Sequence, residues 1–338
     1  MQRTSTILIA LALAVLGLIL LYGNRTMLQG ESSRQPPREK LVLSVAQYSL
    51  STPVYFAQAK GYFAAEGVDV TLREAAAGKF ALEDLVTGKA DLATAAEIPV
   101  VRAVARGEAL SIVATVGNTD ADYSILARRE SGIENFADLK GKKIGVSSGT
   151  TAQYYFYRLL ITLGVQEKDL EVIDVAPADI VAALTVAKVD AIVTWHPYMA
   201  EAQQILGSRG VHLIKDDLVR TNWMVIGGPE FVRQHPAAVR GVLRALIRAE
   251  REMLSEPDEA RRIIAREIGM DPLLLASVWP NYHFEVALDQ SLLVTLEEES
   301  RWAMEKNHVQ AGKVPNFLRS IDYSFLQEIR PESVQLVR

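Results

Sequence analysis

The segment Gly145–Thr151 combines glycines and hydroxyl side chains in a spacing suited to anion binding. It follows a predicted strand and opens a predicted helix, and a helix N-terminus offers free N–H groups to an anion. Ser and Thr at a helix start also serve simply as caps, and that interpretation stays open. The segment holds more hydroxyls than one cap needs, so we expect Ser148, Gly149, Thr150 and Thr151 to bind a ligand.

The same segment matches the G-x-S-x-G pattern of serine hydrolases, with Ser147 as the nucleophile. Such an enzyme also needs an acid and a histidine downstream of the serine. The candidates are Asp271 or Asp289 with His283 or His308. No HGGG-type oxyanion segment precedes Ser147, so a secreted serine hydrolase is kept only as an alternative and we expect no enzyme.

Several other kinds of chemistry lack the residues that they require. No histidine pair has the i, i+4 spacing of a helical zinc site, and neither a P-loop nor a G-x-G-x-x-G occurs. Cysteine is absent, which excludes disulfides and thiolate metal sites. The net charge of −5 is unfavourable for binding a phosphate backbone. We therefore expect no metal, no cofactor and no nucleic-acid partner.

Polar and aromatic side chains recur where predicted strands end. In open α/β sheets, ligands bind outside the carboxyl ends of strands. Aromatic rings there would hold an organic body, while hydroxyls and N–H groups fix its anionic head. We expect a shared pocket that includes Tyr48, Glu97, Asn118, Asp120, Trp195, His196, Asn222 and Trp223.

The elements that must position these residues are short strands alternating with helices from Leu41 onward, which predicts an α/β fold with mainly parallel sheets. After about Pro229 the pattern becomes almost entirely helical. Two segments about a hundred residues apart, Gly88–Thr94 and Ala187–Val193, are similar in sequence, and we call this similarity the internal echo. In each segment Lys, one further residue and Asp precede a predicted buried strand. The echo indicates two lobes built on one plan, with chance similarity as the alternative.

The N-terminus carries an apolar segment. Arg3 precedes an uncharged run, so residues 1–24 are predicted to be an export signal or a membrane anchor. Residues 25–40 are predicted to be a tether. We expect the protein in the periplasm, tethered to the inner membrane by residues 6–23, with a cleaved soluble form as the alternative.

The chain resembles a known family in several segments of the predicted α/β body. These are Tyr55–Phe63 with Glu66–Val70, Phe136–Val146 with Gly149 and Thr150, and Leu184–Asp190 with Trp195 and Pro197. They resemble the nitrate/sulfonate/taurine family of ABC-transporter substrate-binding proteins, which also includes thiamine-pyrimidine binders.

The resemblance implies a two-lobed type II periplasmic-binding-protein fold, with helices on both faces of each sheet and a ligand cleft between the lobes. Two crossover strands would lie near Tyr123–Arg129 and Trp223–Gly228. Lobe 1 would comprise residues 41–125 and 225–338, and lobe 2 residues 126–224.

The resemblance also implies a function. The anion-contacting turn of the family maps onto Ser148–Thr151, and its pocket positions map onto Gln47 with Tyr48 and onto Trp195 with His196. We expect a solute-binding protein that delivers a small organic anion, an alkanesulfonate or taurine-like molecule, to an ABC permease and its ATPase. Glu97 or Asp120 would meet an amine, and a thiamine-type pyrimidine is the alternative ligand.

Overall fold

The computed structural model describes residues 38–310 and 312–337. The predicted signal or anchor, and the predicted tether up to residue 37, lie outside these ranges. Within them, no helix is both long enough and apolar enough to cross a membrane.

The strands of the described residues are mostly four to nine residues long. They are β1 (Glu39–Ala46), β2 (Val68–Ala75), β3 (Leu92–Ala95), β4 (Ser111–Thr119), β5 (Ser124–Arg128), β6 (Lys143–Val146), β7 (Glu171–Asp174), β8 (Ala191–Thr194), β9 (Gly210–Leu213), β10 (Thr221–Gly227), β11 (Leu288–Asp289) and β12 (Val334–Gln335).

The α-helices alternate with the strands up to β10 and follow one another after it. They are α1 (Thr52–Ala59), α2 (Tyr62–Ala65), α3 (Gly78–Val86), α4 (Glu97–Ala105), α5 (Thr151–Leu163), α6 (Ile180–Thr185), α7 (Tyr198–Leu206), α8 (Pro229–Gln234), α9 (Pro236–Ser255), α10 (Pro257–Glu267), α11 (Pro272–Val278), α12 (Gln290–Glu305) and α13 (Ser324–Ile329).

Two five-stranded sheets carry the fold. The first has the order β2-β1-β3-β10-β4 and the second the order β7-β6-β8-β5-β9. In each sheet four strands run in one direction and a single strand, β10 or β5, runs against them. The predicted architecture of two α/β lobes with mainly parallel sheets is confirmed.

The points where the chain changes lobe differ by a few residues from the predicted ones. The predicted boundaries after residues 125 and 224 fall inside β5 and β10, whereas the chain crosses at residues 120–123 and returns at residues 214–220. The return strand joins the first sheet at once, because Thr221 is already in register with Thr119 of β4. β1 likewise begins at Glu39, opposite Val68, so the strand includes the last two residues of the predicted tether.

The internal echo has a structural counterpart in the two sheets. β3 and β8 occupy the same place in their sheets, and the aspartate before each of them bonds to the neighbouring strand. Asp91 Oδ2 accepts from Val42 N at 2.7 Å, and Asp190 Oδ2 accepts from Lys143 N at 2.9 Å. The repeated residues are therefore used for the same purpose in both lobes.

The C-terminal helices belong to lobe 1. α9 packs against α1, α2 and α13, and α12 packs against α4. Proline opens α8, α9, α10 and α11, where its missing N–H leaves no intrahelical hydrogen bond unmade. Lobe 1 therefore has a thicker helical cover than lobe 2.

Candidate ligand-binding site

A cavity lies between the lobes, at the carboxyl ends of β1, β2 and β3 of one sheet and of β8 of the other. This is the place where open α/β sheets bind ligands. The lining residues come from both lobes. They are Ala46, Tyr48, Ala77, Gly78, Lys79, Ala96, Pro99, Tyr123, Thr150, Thr151, Trp195 and Trp223.

Three helices begin at this cavity. The residues before α3, α4 and α5 are Ala77, Ala96 and Thr150, all of which line it. None of the three makes a side-chain capping hydrogen bond within the described ranges. The positive ends of these three helix dipoles therefore meet at one space, with the first N–H groups of α3 and α5 beside it, while the first turn of α4 already holds the Glu97 carboxyl.

The two threonines at the start of α5 differ in their partners. The Thr150 hydroxyl donates to the Ser147 carbonyl at 2.7 Å, which holds the turn. The Thr151 hydroxyl is buried and has no hydrogen-bond partner among the residues that the structure describes. The structure therefore does not support capping by the Thr150 side chain, and the Thr151 hydroxyl lies beside the Tyr123 hydroxyl in the cavity lining.

Aromatic rings form the walls on both sides. Tyr48 and Trp223 of lobe 1 meet edge to face with ring centroids 4.6 Å apart. Tyr123 lies where the chain enters lobe 2, and its ring centroid is 6.4 Å from that of Trp195 in lobe 2. The Trp223 indole N–H donates to Ser51 Oγ at 3.0 Å, so this N–H is already engaged within lobe 1.

Gly78 and Lys79 line the cavity but were not predicted. A Cβ at Gly78 would lie 2.9 Å from Ala95 Cα and 3.1 Å from the Trp223 ring, so α3 begins this close to the sheet only with glycine. Lys79 lies in the first turn of α3, where the helix dipole favours acids instead. That unfavourable position is the signal by which the sequence could have indicated Lys79.

Two side chains bridge the lobes beside the cavity. Lys79 Nζ of lobe 1 donates to the Ser148 carbonyl of lobe 2 at 3.0 Å. In the other direction, the Tyr198 hydroxyl of lobe 2 donates to the Ala76 carbonyl of lobe 1 at 2.7 Å. These two bonds hold the lobes together on either side of the cleft.

Three predicted site residues are engaged away from the cavity. Gln47 donates to Glu74 at 3.0 Å. Asn118 accepts from Arg220 at 2.9 Å, and Asp120 lies 3.8 Å from the same guanidinium. The structure therefore does not support the expectation that Asp120 meets a ligand amine.

Glu97 and Asn222 lie buried next to the cavity and bind each other. The Asn222 backbone N–H and side-chain amide both donate to Glu97 Oε1 at 2.7 Å. Burial raises the pKa of Glu97 to about 7, against the opposing effect of these bonds. Glu299 of α12 is also fully buried, and its pKa is raised well above the ordinary value by burial and then by the nearby Glu97 charge.

Two further buried groups are Asp122, where the chain passes between the lobes, and His196, just after β8. Asp122 accepts a hydrogen bond from the Tyr282 hydroxyl, and burial raises the pKa of Asp122 to about 7. Burial lowers the pKa of His196 to about 4, so this predicted site residue is a neutral imidazole at physiological pH. The Nδ1 of His196 has no hydrogen-bond partner within the described part of the chain.

The geometry gives the hydrolase alternative no support. Ser147 is buried and its hydroxyl donates to the Val175 carbonyl at 2.7 Å rather than to a base. The two candidate acids, Asp271 and Asp289, cap the N-termini of α11 and α12. In the described residues, no group of His, Cys, Asp and Glu is arranged to hold a metal ion.

Comparisons with known proteins agree with this geometry. The family model described as NMT1/THI5 like matches residues 49–260. An aliphatic sulfonates-binding protein of Escherichia coli is 30% identical over 203 residues, which are 60% of this chain and 63% of the relative. The chain thus spans a little under two thirds of that relative's length.

A second relative is an enzyme, and a solved structure shares the fold. The 4-amino-5-hydroxymethyl-2-methylpyrimidine phosphate synthase of Saccharomyces cerevisiae is 26% identical over 223 residues, 62% of this chain and 64% of the enzyme. The alkanesulfonate-binding protein of Xanthomonas axonopodis pv. citri, solved with bound MOPS, superimposes with a TM-score of 0.74. That match has 20% identity and covers 86% of this chain and 100% of the other.

Proposed function

Because the chain belongs to the NMT1/THI5-like family, we propose that it is a solute-binding protein that captures a small organic anion and delivers it to an ABC permease. The observation that carries the proposal is the cavity between the lobes, where three helix N-termini and the Thr151 hydroxyl meet aromatic walls. An alkanesulfonate or taurine-like molecule is the proposed ligand.

The donors around the cavity suit a sulfonate. Its three equivalent oxygens accept hydrogen bonds from several directions, and the starts of α3 and α5, one in each lobe, supply N–H groups in that manner. The Tyr48, Trp223, Tyr123 and Trp195 rings would bury the organic part. The names of the Escherichia coli and Xanthomonas proteins support the same ligand class.

Delivery requires the cleft to close around the ligand and open again at the permease. In the proposed mechanism a ligand that contacts both lobes stabilises the closed form, because it gains contacts there that the open form lacks. The bonds from Lys79 to Ser148 and from Tyr198 to Ala76 would close in the same movement. We place the protein outside the cytoplasm, with a permease and its ATPase as partners; residues 1–24 as its signal or anchor stay a prediction.

A thiamine-type pyrimidine is the second candidate ligand. The paired rings on opposite walls would stack on a heteroaromatic, and one relative is a pyrimidine phosphate synthase. The two candidate ligands differ in the contacts that they require. A sulfonate is attracted by the positive helix N-termini, whereas a neutral pyrimidine gains little binding free energy from them.

Thermal unfolding of the protein with a panel of ligands tests the proposal. Propane-1-sulfonate, taurine and MOPS are compared with nitrate, butan-1-ol and an aminopyrimidine. A ligand that binds only the folded state stabilises it by about 2.7 kcal/mol at a hundredfold excess over Kd. Stabilisation by the sulfonates but not by butan-1-ol is the expected result. Stabilisation by the aminopyrimidine alone would favour the second candidate, and no stabilisation by any ligand would contradict both.

A pair of glycine variants locates the binding site. Gly78→Ala places a methyl group against Ala95 and the Trp223 ring, and should abolish the sulfonate effect by reducing the cavity. Gly228→Ala is the matched control, since its methyl group would meet nothing within 4 Å. Equal ligand effects in both variants would place the site elsewhere.

A further inference from the structure

A second groove adjoins the mouth of the cavity. It is lined by Lys79, Arg102, Arg106, Ser148 and Gly149, among others. We call it the outer groove. It shares Lys79 with the cavity, and its Ser148–Gly149 side continues directly into Thr150 and Thr151, which line the cavity.

The cations of the outer groove form no ion pair within the described residues, although Asp174 is near enough to oppose the lowering of the pKa of Lys79 and Arg102 by burial. Lys79 donates to a carbonyl, and Arg102 and Arg106 have no ion pair or hydrogen bond among the residues that the structure describes. Arg102 is half-buried, and its burial and the nearby Arg106 charge lower its pKa. Removing a cation from water without a partner is unfavourable, and an anion in the groove would offset that cost.

Two carboxylates also lie near the outer groove. Asp174 accepts from the Ser148 N–H at 2.9 Å and so is engaged with the turn, while Glu83 lies exposed on α3. Three cations against two carboxylates leave the groove with a net positive charge. The cavity, in contrast, has only Lys79 as a charged lining residue.

The Arg102 guanidinium lies directly against the start of α5. Gly149 has φ +73°, and a Cβ there would lie 2.8 Å from Arg102 Nη1. The φ of Gly149 favours glycine, and its missing Cβ leaves room for the guanidinium. Arg102 thus contacts the turn whose next residues face the cavity, and an anion held by Arg102 would lie close to one held by Thr151.

We propose that the outer groove is a second anion subsite, and that the transported ligand is an organic dianion: a sulfonate that carries a second sulfonate, carboxylate or phosphate group. This inference rests on the proposed function of the cavity. Ser148 and Thr150 are two positions apart in the chain, as are Gly149 and Thr151, and two positions span up to about 7 Å. A linker of about three carbons joins two acidic groups over that distance.

Titration calorimetry with two ligands of the same length tests the subsite. Propane-1-sulfonate carries one acidic group and propane-1,3-disulfonate carries two. At low ionic strength the disulfonate should bind at least about tenfold more tightly, because a charge-assisted hydrogen bond from Arg102 is added. Binding of the monosulfonate with no gain for the disulfonate would overturn the subsite and leave the proposed function intact. Binding of neither ligand would overturn the proposed function, and the subsite with it.

Variants of Arg102 separate a subsite from general attraction of anions. Arg102→Gln should weaken disulfonate binding about tenfold and change monosulfonate binding less than about twofold. Arg102→Met keeps the apolar stem and repeats the test if the first variant is unstable. Arg233→Gln, on α8 and outside the groove lining, removes the same charge and should change neither affinity. Equal weakening of both ligands in the Arg102 variants would mean attraction without a subsite and would overturn the proposal.

Discussion

The two lobes share a strand order but bring different groups to the cleft. On the side of the sheet away from the cleft, Asp91 and Asp190 make the same bond to a neighbouring strand. At the carboxyl ends, lobe 1 supplies two rings and Lys79, whereas lobe 2 supplies hydroxyls and Trp195. Residues that hold the sheet together are therefore repeated, and residues that face the cleft are not.

The lobes also differ in their buried titratable groups. Lobe 1, with its added helices, buries the carboxyls of Glu97 and Glu299. Lobe 2 buries the imidazole of His196 at the end of β8. Burial disfavours the charged form in both, so it raises the pKa of the acids and lowers that of the base.

The largest effect that we predict is an opposite pH dependence of the two lobes. Glu97 has a pKa of about 7 when folded and 4.5 as a model acid, so the unfolded chain loses this proton first as pH rises. The free energy of unfolding should therefore fall across this range, by on the order of 3 kcal/mol from Glu97. His196 acts oppositely: its pKa falls from 6.5 to about 4, so stability is lost as pH falls through that range.

Denaturant unfolding at a series of pH values checks this difference. Glu97→Gln keeps an oxygen that accepts both Asn222 bonds and removes the titration, so stability should fall less, or rise more, with pH between 4.5 and 7 than in the unaltered protein. His196→Asn should have the opposite effect on the slope between pH 4 and 6.5. If both variants keep the pH profile of the unaltered protein, the two groups do not titrate as burial requires.

The next prediction concerns the repeated aspartates. Asp91→Ala and Asp190→Ala each leave a strand N–H without its carboxylate, at a cost of about 1.5–3 kcal/mol in unfolding free energy. Asp190→Ala should cost slightly more, because Asp190 also pairs with Arg128 at 3.3 Å. Ligand affinity should not change in either variant. Asp69→Ala, exposed on β2, is the control. If only one of the two variants lost stability, the repeated aspartate would stabilise the sheet of one lobe and not of the other.

The sequence predicts the alternation of strands and helices well, because buried strands and glycine-ended helices have strong local signals. It does not predict the order of strands within a sheet. Asn118 near the end of β4 and Asp120 just after it hold places like that of Tyr48 after β1, but β4 lies at the sheet edge and β1 near its centre. Asn118 and Asp120 therefore meet Arg220 at the surface, and the Tyr48 ring meets the cavity.

Other site features depend on close approaches between distant parts of the chain. Gly78 lines the cavity because α3 begins against Ala95 and Trp223, which lie far from it in sequence. Thr150 and Thr151 are predicted together from one motif, but only the fold shows that Thr150 bonds to Ser147 and Thr151 does not. A motif thus indicates where a site lies, and the partners of each side chain decide its role.

The third prediction compares the aromatic walls. Trp195→Ala should weaken sulfonate binding by about 1–3 kcal/mol, as for aromatic anchors in other interfaces, with a modest loss of stability. Trp223→Phe removes the N–H that bonds to Ser51 and keeps a ring beside Tyr48, so it should mainly lower stability. Isothermal titration and thermal unfolding of both variants measure the two effects. Unchanged affinity in Trp195→Ala would make that ring a packing residue.

The smallest predicted effect separates two neighbouring hydroxyls. Thr151→Val removes a hydroxyl without a partner in the described residues, so sulfonate affinity should fall by about 1 kcal/mol with little loss of stability. Thr150→Val removes the bond to the Ser147 carbonyl, so stability should fall by a similar amount and affinity should change less. Both substitutions remove one hydroxyl and keep the volume, so each variant is the control for the other. If affinity falls in Thr150→Val and not in Thr151→Val, then the turn that Thr150 holds recognises the anion, and the Thr151 hydroxyl does not. The cleft-facing end of lobe 2 would in that case depend on backbone N–H groups alone, as lobe 1 does at α3.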